Sequence, residues 1–386
     1  MIKRTLHDKI KDLRTKFPVL SLTGPRQSGK TTLLKAVYED LPYASLEDLD
    51  IRSFAKNDPR GFLENYPEGA FFDEVQRVPE LFSYIQGAVD KGNIHYALSG
   101  SQNFVLLEKI SQSLAGRSAI LKLLPFALTE LTNEDIIFSR WEDAVYKGFY
   151  PRIYDREIDP ADFYPAYISS YVERDVRQIQ NIENLSLFSR FVQLCAGRIG
   201  QPLNVQSLAT DTGISPNTAK AWLSVLEAGY IIHFLQPYHV NFNKRIIKSP
   251  KLYFFDTGLV CSLLSVESSS QITTHYLRGN LFENFVVNEF IKAHYNLGKR
   301  SNLFFWHSKD KKEIDLLVEK GGKILPFEIK SSMTKTDSHF QNLWYWKKLT
   351  DASYDDLNVI YGGNDNFKTS RGSFISWKNL AHLDFL

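Results

Sequence analysis

The sequence predicts a multidomain α/β chain: an N-terminal parallel sheet covered by helices, a helical segment, a helix-turn-helix, and a second α/β domain. Three observations lead there. Between Pro18 and Phe126, short apolar runs alternate with helical stretches, and several runs are continuously apolar, as strands buried on both faces are. The first run leads directly into "GPRQSGKT" (Gly24 to Thr31), the G-x-x-x-x-G-K-[ST] pattern set between a strand and a helix. Near the C-terminus, strand-like runs flank Gly321-Gly322, a pair suited to a hairpin turn.

Taken in order, "MIKRTLHDKIKDLRTKF" reads as an amphipathic helix. It lacks the continuous apolar stretch of a secretory signal. The first-domain strands are expected at Val19 to Gly24, Tyr43 to Asp48, Gly69 to Val75, His95 to Ser101 and Ala119 to Phe126. The pattern then turns helical through about Val192. From Leu203 to Tyr238 it reads helix, turn at Gly213, helix, strand. Ser215 is suited to the N-cap and Pro216 to the first helical position, and Ala219, Trp222, Leu223 and Leu226 share an apolar face. "RGNLFENFVVNEFIKAHY" reads as a helix, and the stretch from Asn302 to Ser332 as strands. Domains are expected over 1–126, 127–192, 193–256 and 257–386.

At 386 residues the chain exceeds one ordinary core. No apolar run approaches the ~20 residues that cross a bilayer. Its two cysteines, Cys195 and Cys261, lie in apolar surroundings without a CxxC motif. This suits buried thiols in a reducing cytoplasm and does not suit a structural zinc site. A formal net charge of +2 is too small to argue for nucleic-acid binding by itself.

The chemistry begins at the glycine-rich loop. Gly24, Pro25, Arg26, Gln27, Ser28, Gly29, Lys30, Thr31 and Thr32 form the candidate nucleotide-binding set. The two glycines let successive N–H groups face a phosphate, and the following helix adds its positive end. Lys30 supplies charge to the outer phosphates and Thr31 a hydroxyl to Mg2+. The run "AFFDEV" ends in Asp73, suited to the Mg2+ shell, and Glu74, suited to polarising water. Ser101, Gln102 and Asn103, after the fourth strand, are candidates for contacting the γ-phosphate.

These residues resemble the AAA+ ATPases. The resemblance implies a five-stranded parallel sheet, a helical lid over 127–192 and an arginine delivered near the γ-phosphate, often by a neighbouring subunit. Arg117, just before the fifth strand, stands where the family usually puts it; Arg174 and Arg177 are rivals. The middle module resembles a winged helix, with Asn217, Thr218 and Lys220 on the outer side of its second helix. Lys244, Arg245, Lys248 and Lys251 are candidates for a basic wing on DNA phosphates. A protein-contact role is the alternative.

In the tail, Asp315 in "EIDLLV" and Glu328 and Lys330 in "FEIKSS" lie on adjacent strands, and residues two apart share a face. Glu283 on the preceding helix completes a candidate cluster. Asp315, Glu328 and Glu283 suit Mg2+ as hard oxygen ligands, and Lys330 suits an attacking water. This is similar to the PD-(D/E)xK nuclease (restriction-endonuclease-like) fold, with Gln341 and Tyr345 matching a Q-x-x-x-Y pattern of some members. The whole order resembles a bacterial and archaeal family that joins these three parts. The resemblance implies ATP binding and hydrolysis. With ATP and Mg2+ as cofactors, the chain is expected to be an ATPase whose nucleotide state repositions a DNA-binding or DNA-cleaving tail. The alternative is a regulatory switch whose tail is a noncatalytic scaffold for a protein partner. A homo-oligomer fits the shared arginine, and no membrane partner is expected.

Overall fold

A computed structural model describes residues 2–92, 94–101, 113–172, 184–238, 249–308, 310, 312–350 and 352–382. The five apolar runs of the N-terminal part are strands: β1 (Val19–Thr23), β2 (Tyr43–Ser45), β3 (Gly69–Asp73), β4 (His95–Gly100) and β5 (Ser118–Lys122). They pair in the order β2-β3-β4-β1-β5, all parallel. Every residue of β1 and β3 is buried, which explains their unbroken apolar runs. Alternate side chains feed two cores. Val19, Phe72 and Leu98 join Phe62, Leu81 and Phe82 on one side. Leu20, Leu22 and Phe71 join Leu33, Leu34 and the N-terminal helix residues Leu6 and Ile10 on the other. Each such buried side chain contributes about 1.5–3 kcal/mol. Because all five strands are parallel, Thr23, Asp73 and Gly100 end at the same edge of the sheet, where ligands of such folds bind.

The chain forms two compact units. The first runs to Phe126, with Ala228–Tyr230 and Tyr295–Lys299; the second holds the rest. In the second unit, an eight-stranded mixed sheet runs β12-β13-β11-β10-β9-β8-β6-β7. Its strands are β6 (Ile232–Pro237), β7 (Lys251–Phe254), β8 (Leu303–His307), β9 (Glu313–Lys320), β10 (Lys323–Lys330), β11 (Asn358–Tyr361), β12 (Phe367–Thr369) and β13 (Gly372–Ser376). Gly321 and Gly322, both left-handed at φ 57° and 78°, turn β9 into β10 as the sequence leads one to expect. In the helix Arg278–Asn296, Phe282, Phe285 and Phe290 are fully buried, and Phe290 packs on Phe327 of β10 at 5.2 Å.

The segment expected as a lid packs within this second unit where it is described. Trp141 meets Phe282 at 4.9 Å and the Leu128 N–H donates to Glu289 at 2.7 Å. The helix-turn-helix is present as Val205–Thr212 and Pro216–Ala228, with Gly213 left-handed between them and Ser215 Oγ accepting from the Thr218 N–H at 3.1 Å. The strand after it, β6, pairs antiparallel with β7 and parallel with β8, so this hairpin is the edge of the large sheet. Asn284 and Asn288 of the long helix bond the Phe254 backbone and satisfy groups that an edge strand leaves open. Both cysteines are buried and free. Among the described residues no helix is long and apolar enough to cross a membrane.

Candidate functional site

The phosphate loop leaves the C-terminal end of β1 and closes on the helix Lys30–Val37, with Gly29 left-handed at φ 91°. Gly24 admits nothing larger: a Cβ there would lie 2.0 Å from the Leu123 carbonyl oxygen. Lys30 is 5 % exposed and curls back, donating to the carbonyls of Gly24 at 2.9 Å and Pro25 at 2.8 Å. Arg26 is 3.7 Å from Glu47, Gln27 is left-handed, Ser28 is buried and Thr32 is exposed.

Thr31 Oγ1 donates to Asp73 Oδ2 at 2.7 Å, joining the loop to the end of β3. The same carboxylate takes Tyr43 Oη at 3.3 Å, the Glu74 N–H at 3.1 Å and Ser99 Oγ. Burial, and then the Asp73 charge, push the Tyr43 phenol up to about 12. Glu74 is left-handed and accepts from Ser101 Oγ at 3.1 Å and from Gln76. Thr31 and Asp73 are the hard oxygen pair that Mg2+ needs, and these residues fit that ion. Gln102, Asn103, Arg174 and Arg177 lie outside the described residues.

Three contributors escape sequence reading. Ser99 sits one residue beyond the Phe72↔Leu98 register and so faces Asp73, a relation only strand order reveals. Tyr43 reaches Asp73 from β2. Arg4, buried in the N-terminal segment, donates to the Ser28 carbonyl at 2.7 Å and the Leu124 carbonyl at 2.7 Å, with its guanidinium 4.9 Å from the Phe126 ring centroid. It braces the loop from behind.

Arg117 stands elsewhere. β1 and β5 are parallel from Val19↔Ser118 to Thr23↔Lys122, so Arg117 is level with the start of β1 while the loop follows its end. Five strand positions at ~3.3 Å each separate them by about 16 Å. Arg117 instead grips Asp90 with two hydrogen bonds, of 2.6 and 2.9 Å.

The second unit gathers a carboxylate-lysine cluster. The hairpin brings Asp315 beside Glu328 and Lys330. Lys330 Nζ is 3.3 Å from Asp315 and 2.5 Å from Glu328, and the Ile329 N–H donates to Asp315 at 2.8 Å. Among the described residues, Glu283, Glu313 and Asp315 bring carboxylate oxygens within 4.8 Å of one another. Glu328 meets Lys330 with one oxygen, and its other oxygen, Oε1, is buried without a hydrogen-bond partner.

Lys251, expected on an exposed wing, is 1 % exposed and bonds Glu283 at 2.7 Å and also Glu313. It therefore does not reach DNA phosphates: its position on β7 turns it under the long helix. Lys244, Arg245 and Lys248 lie outside the described residues. Burial works against the Lys251 charge, but Glu283, Tyr253, Glu313 and Asp315 outweigh it and raise this ammonium above the usual lysine range. Burial and then Asp315 push Glu328 well up. Burial also opposes the Asp315 charge, but Lys330 and Lys251 prevail and hold that carboxyl low. Gln341 is exposed, and Tyr345 packs on Trp306 at 6.2 Å.

A family model described as an AAA domain matches residues 16–132. Over these residues the N-terminal unit is similar to AAA-type ATPase domains. Two domains of unknown function match residues 139–270 and 278–380. Uncharacterized proteins of Mycobacterium tuberculosis and Mycobacterium bovis are each 28 % identical over 374 residues, covering 96 % of this chain and 80 % of theirs. Among solved structures, a Walker-type ATPase of Pyrococcus abyssi is similar at 15 % identity and a TM-score of 0.46, over 68 % of this chain and 96 % of its own. The Orc1 protein of Aeropyrum pernix in complex with DNA is similar at 10 % identity and a TM-score of 0.29, over 67 % of this chain and 91 % of its own.

Proposed function

We propose that the first unit hydrolyses ATP and that its nucleotide state controls the second. The observation that carries this is the 2.7 Å bond between Thr31 and Asp73, which puts the loop hydroxyl and the strand-end carboxylate at one point. ATP binding would exchange the Gly24 and Pro25 carbonyls on Lys30 for phosphate oxygens, and the loop N–H groups would cradle the rest. Mg2+, held by Thr31 and Asp73, would neutralise charge on the phosphates. Glu74, fixed by Ser101 and Gln76, accepts a proton from the attacking water as the bond to ADP breaks. Arg117 lies too far from its own loop, so it serves the site of a neighbouring copy.

Within this reading 1–126 is the ATPase core, 127–192 the segment that relays its state although it packs in the second unit where it is described, 193–256 the contact module and 257–386 the effector. Asn217 and Lys220, exposed on the helix Pro216–Ala228, favour DNA as the first partner to test. The deciding experiment measures ATP binding and turnover in Lys30→Ala and Glu74→Gln. Lys30→Ala should lose tight binding. Glu74→Gln should bind ATP and lose turnover by about 10²–10⁴-fold. Unchanged turnover in Glu74→Gln would refute its role. Turnover stimulated by DNA, and less so at high salt, supports phosphate contacts; indifference to DNA points to a protein partner.

A further inference from the structure

Glu313 and Asp315, two apart on β9, share a face, and Glu283 reaches the same point from the long helix. Three converging carboxylates are what a divalent cation needs. Lys251 is already there. Its ammonium is bonded to Glu283 and Glu313, lies 5.5 Å from the Phe305 ring centroid and has no face open to water. Tyr253, two residues on, donates to the same Glu283 oxygen at 2.5 Å.

We propose that the ammonium of Lys251 takes the position a catalytic divalent cation would need, so that the Glu283-Glu313-Asp315 cluster is a self-neutralised junction and the second unit works without a metal. A cation entering here must expel a doubly paired ammonium that is only 1 % exposed, and removing such a group leaves its buried partners to be compensated. The junction has a structural consequence. Lys251 opens β7, and around it Pro202 bridges the strand while the Leu203 N–H donates to the Pro250 carbonyl at 2.8 Å. The ammonium thus ties the root of the helix-turn-helix to the long helix and to β9. The second unit then transmits and binds rather than cuts, whether or not the first unit hydrolyses ATP.

The test is a Mn2+ titration of the full chain, without nucleotide, followed by the paramagnetic resonance of free Mn2+. Asp73→Asn is present throughout to silence the N-terminal carboxylate. In that background the chain should take up no stoichiometric Mn2+ at millimolar concentration. Adding Lys251→Ala should create a one-to-one site, and adding Asp315→Asn to that variant should abolish it. A one-to-one Mn2+ site in the chain with Lys251 intact, lost on Asp315→Asn, would overturn the proposal. So would a folded Lys251→Ala chain that gains no site. If Lys251→Ala does not fold, the titration with Lys251 intact decides by itself: absent uptake upholds the proposal, stoichiometric uptake overturns it.

Discussion

Replacing Arg117 by alanine tests whether hydrolysis needs a second copy of the chain. Arg117 is level with Val19, and the phosphate loop begins after Thr23, at the far end of a strand about 16 Å long. No side-chain rotation carries its guanidinium to its own loop. Its partner Asp90 is a surface carboxylate, so the pair can open when a phosphate competes. An arginine supplied to a transferring phosphate raises the rate by about 10³–10⁵-fold. Arg117→Ala should therefore bind ATP normally and lose at least about 10³-fold in turnover. The decisive assay mixes it with Lys30→Ala, which lacks a working loop but keeps Arg117. In a head-to-tail ring with random neighbours, one adjacent pair in four joins an intact loop to an intact arginine. An equimolar mixture should then recover about a quarter of wild-type turnover. Two results refute the reasoning: a mixture no faster than the mean of its parts, or full turnover by Arg117→Ala alone.

The remaining predictions concern local supports. Arg4→Gln should raise KM for ATP more than it lowers kcat, because it loosens Ser28 and leaves two buried carbonyls without a charged donor; a loss of about 3 kcal/mol in unfolding free energy should accompany it. Unchanged KM in a folded variant would remove Arg4 from the site. His233, buried against Tyr253 and Phe255 and bonded to Asn288 at 2.9 Å, has its pKa lowered by burial from 6.5 to about 4. Below pH 6.5 the unfolded imidazole takes up a proton that the folded one refuses until about pH 4, so stability is full above that window and falls as pH drops through it. The loss reaches about 3 kcal/mol. Urea unfolding of wild type and His233→Gln across this window should differ in pH slope, and parallel curves would contradict the assignment.

Much of the ATPase unit is written locally. The nine residues from Gly24 to Thr32 are contiguous, so their spacing alone specifies a loop whose N–H groups converge. The unbroken apolar runs of β1 and β3 likewise announce burial on both faces. Tyr43, Ser99 and Arg4 left no such mark, because a single polar residue in a strand or near a terminus has no pattern of its own. Their partners are fixed by strand order and by packing across the sheet.

The second unit shows the same division more sharply. The sequence by itself determined the β9-β10 hairpin, since Gly321-Gly322 adopts a left-handed turn that glycine favours over most other residues, and with it the meeting of Asp315, Glu328 and Lys330. It also determined the helix-turn-helix, through Gly213, Ser215 and Pro216. Only the tertiary structure decided what Lys251 does. In the sequence it is one more cation in a basic stretch; in the fold, β7 carries it beneath a helix that begins 27 residues later and against a strand further on. The physical reason is range. Turn and loop chemistry depends on backbone angles of adjacent residues, whereas the pairing of a buried charge depends on which distant carboxylates share its low-dielectric surroundings.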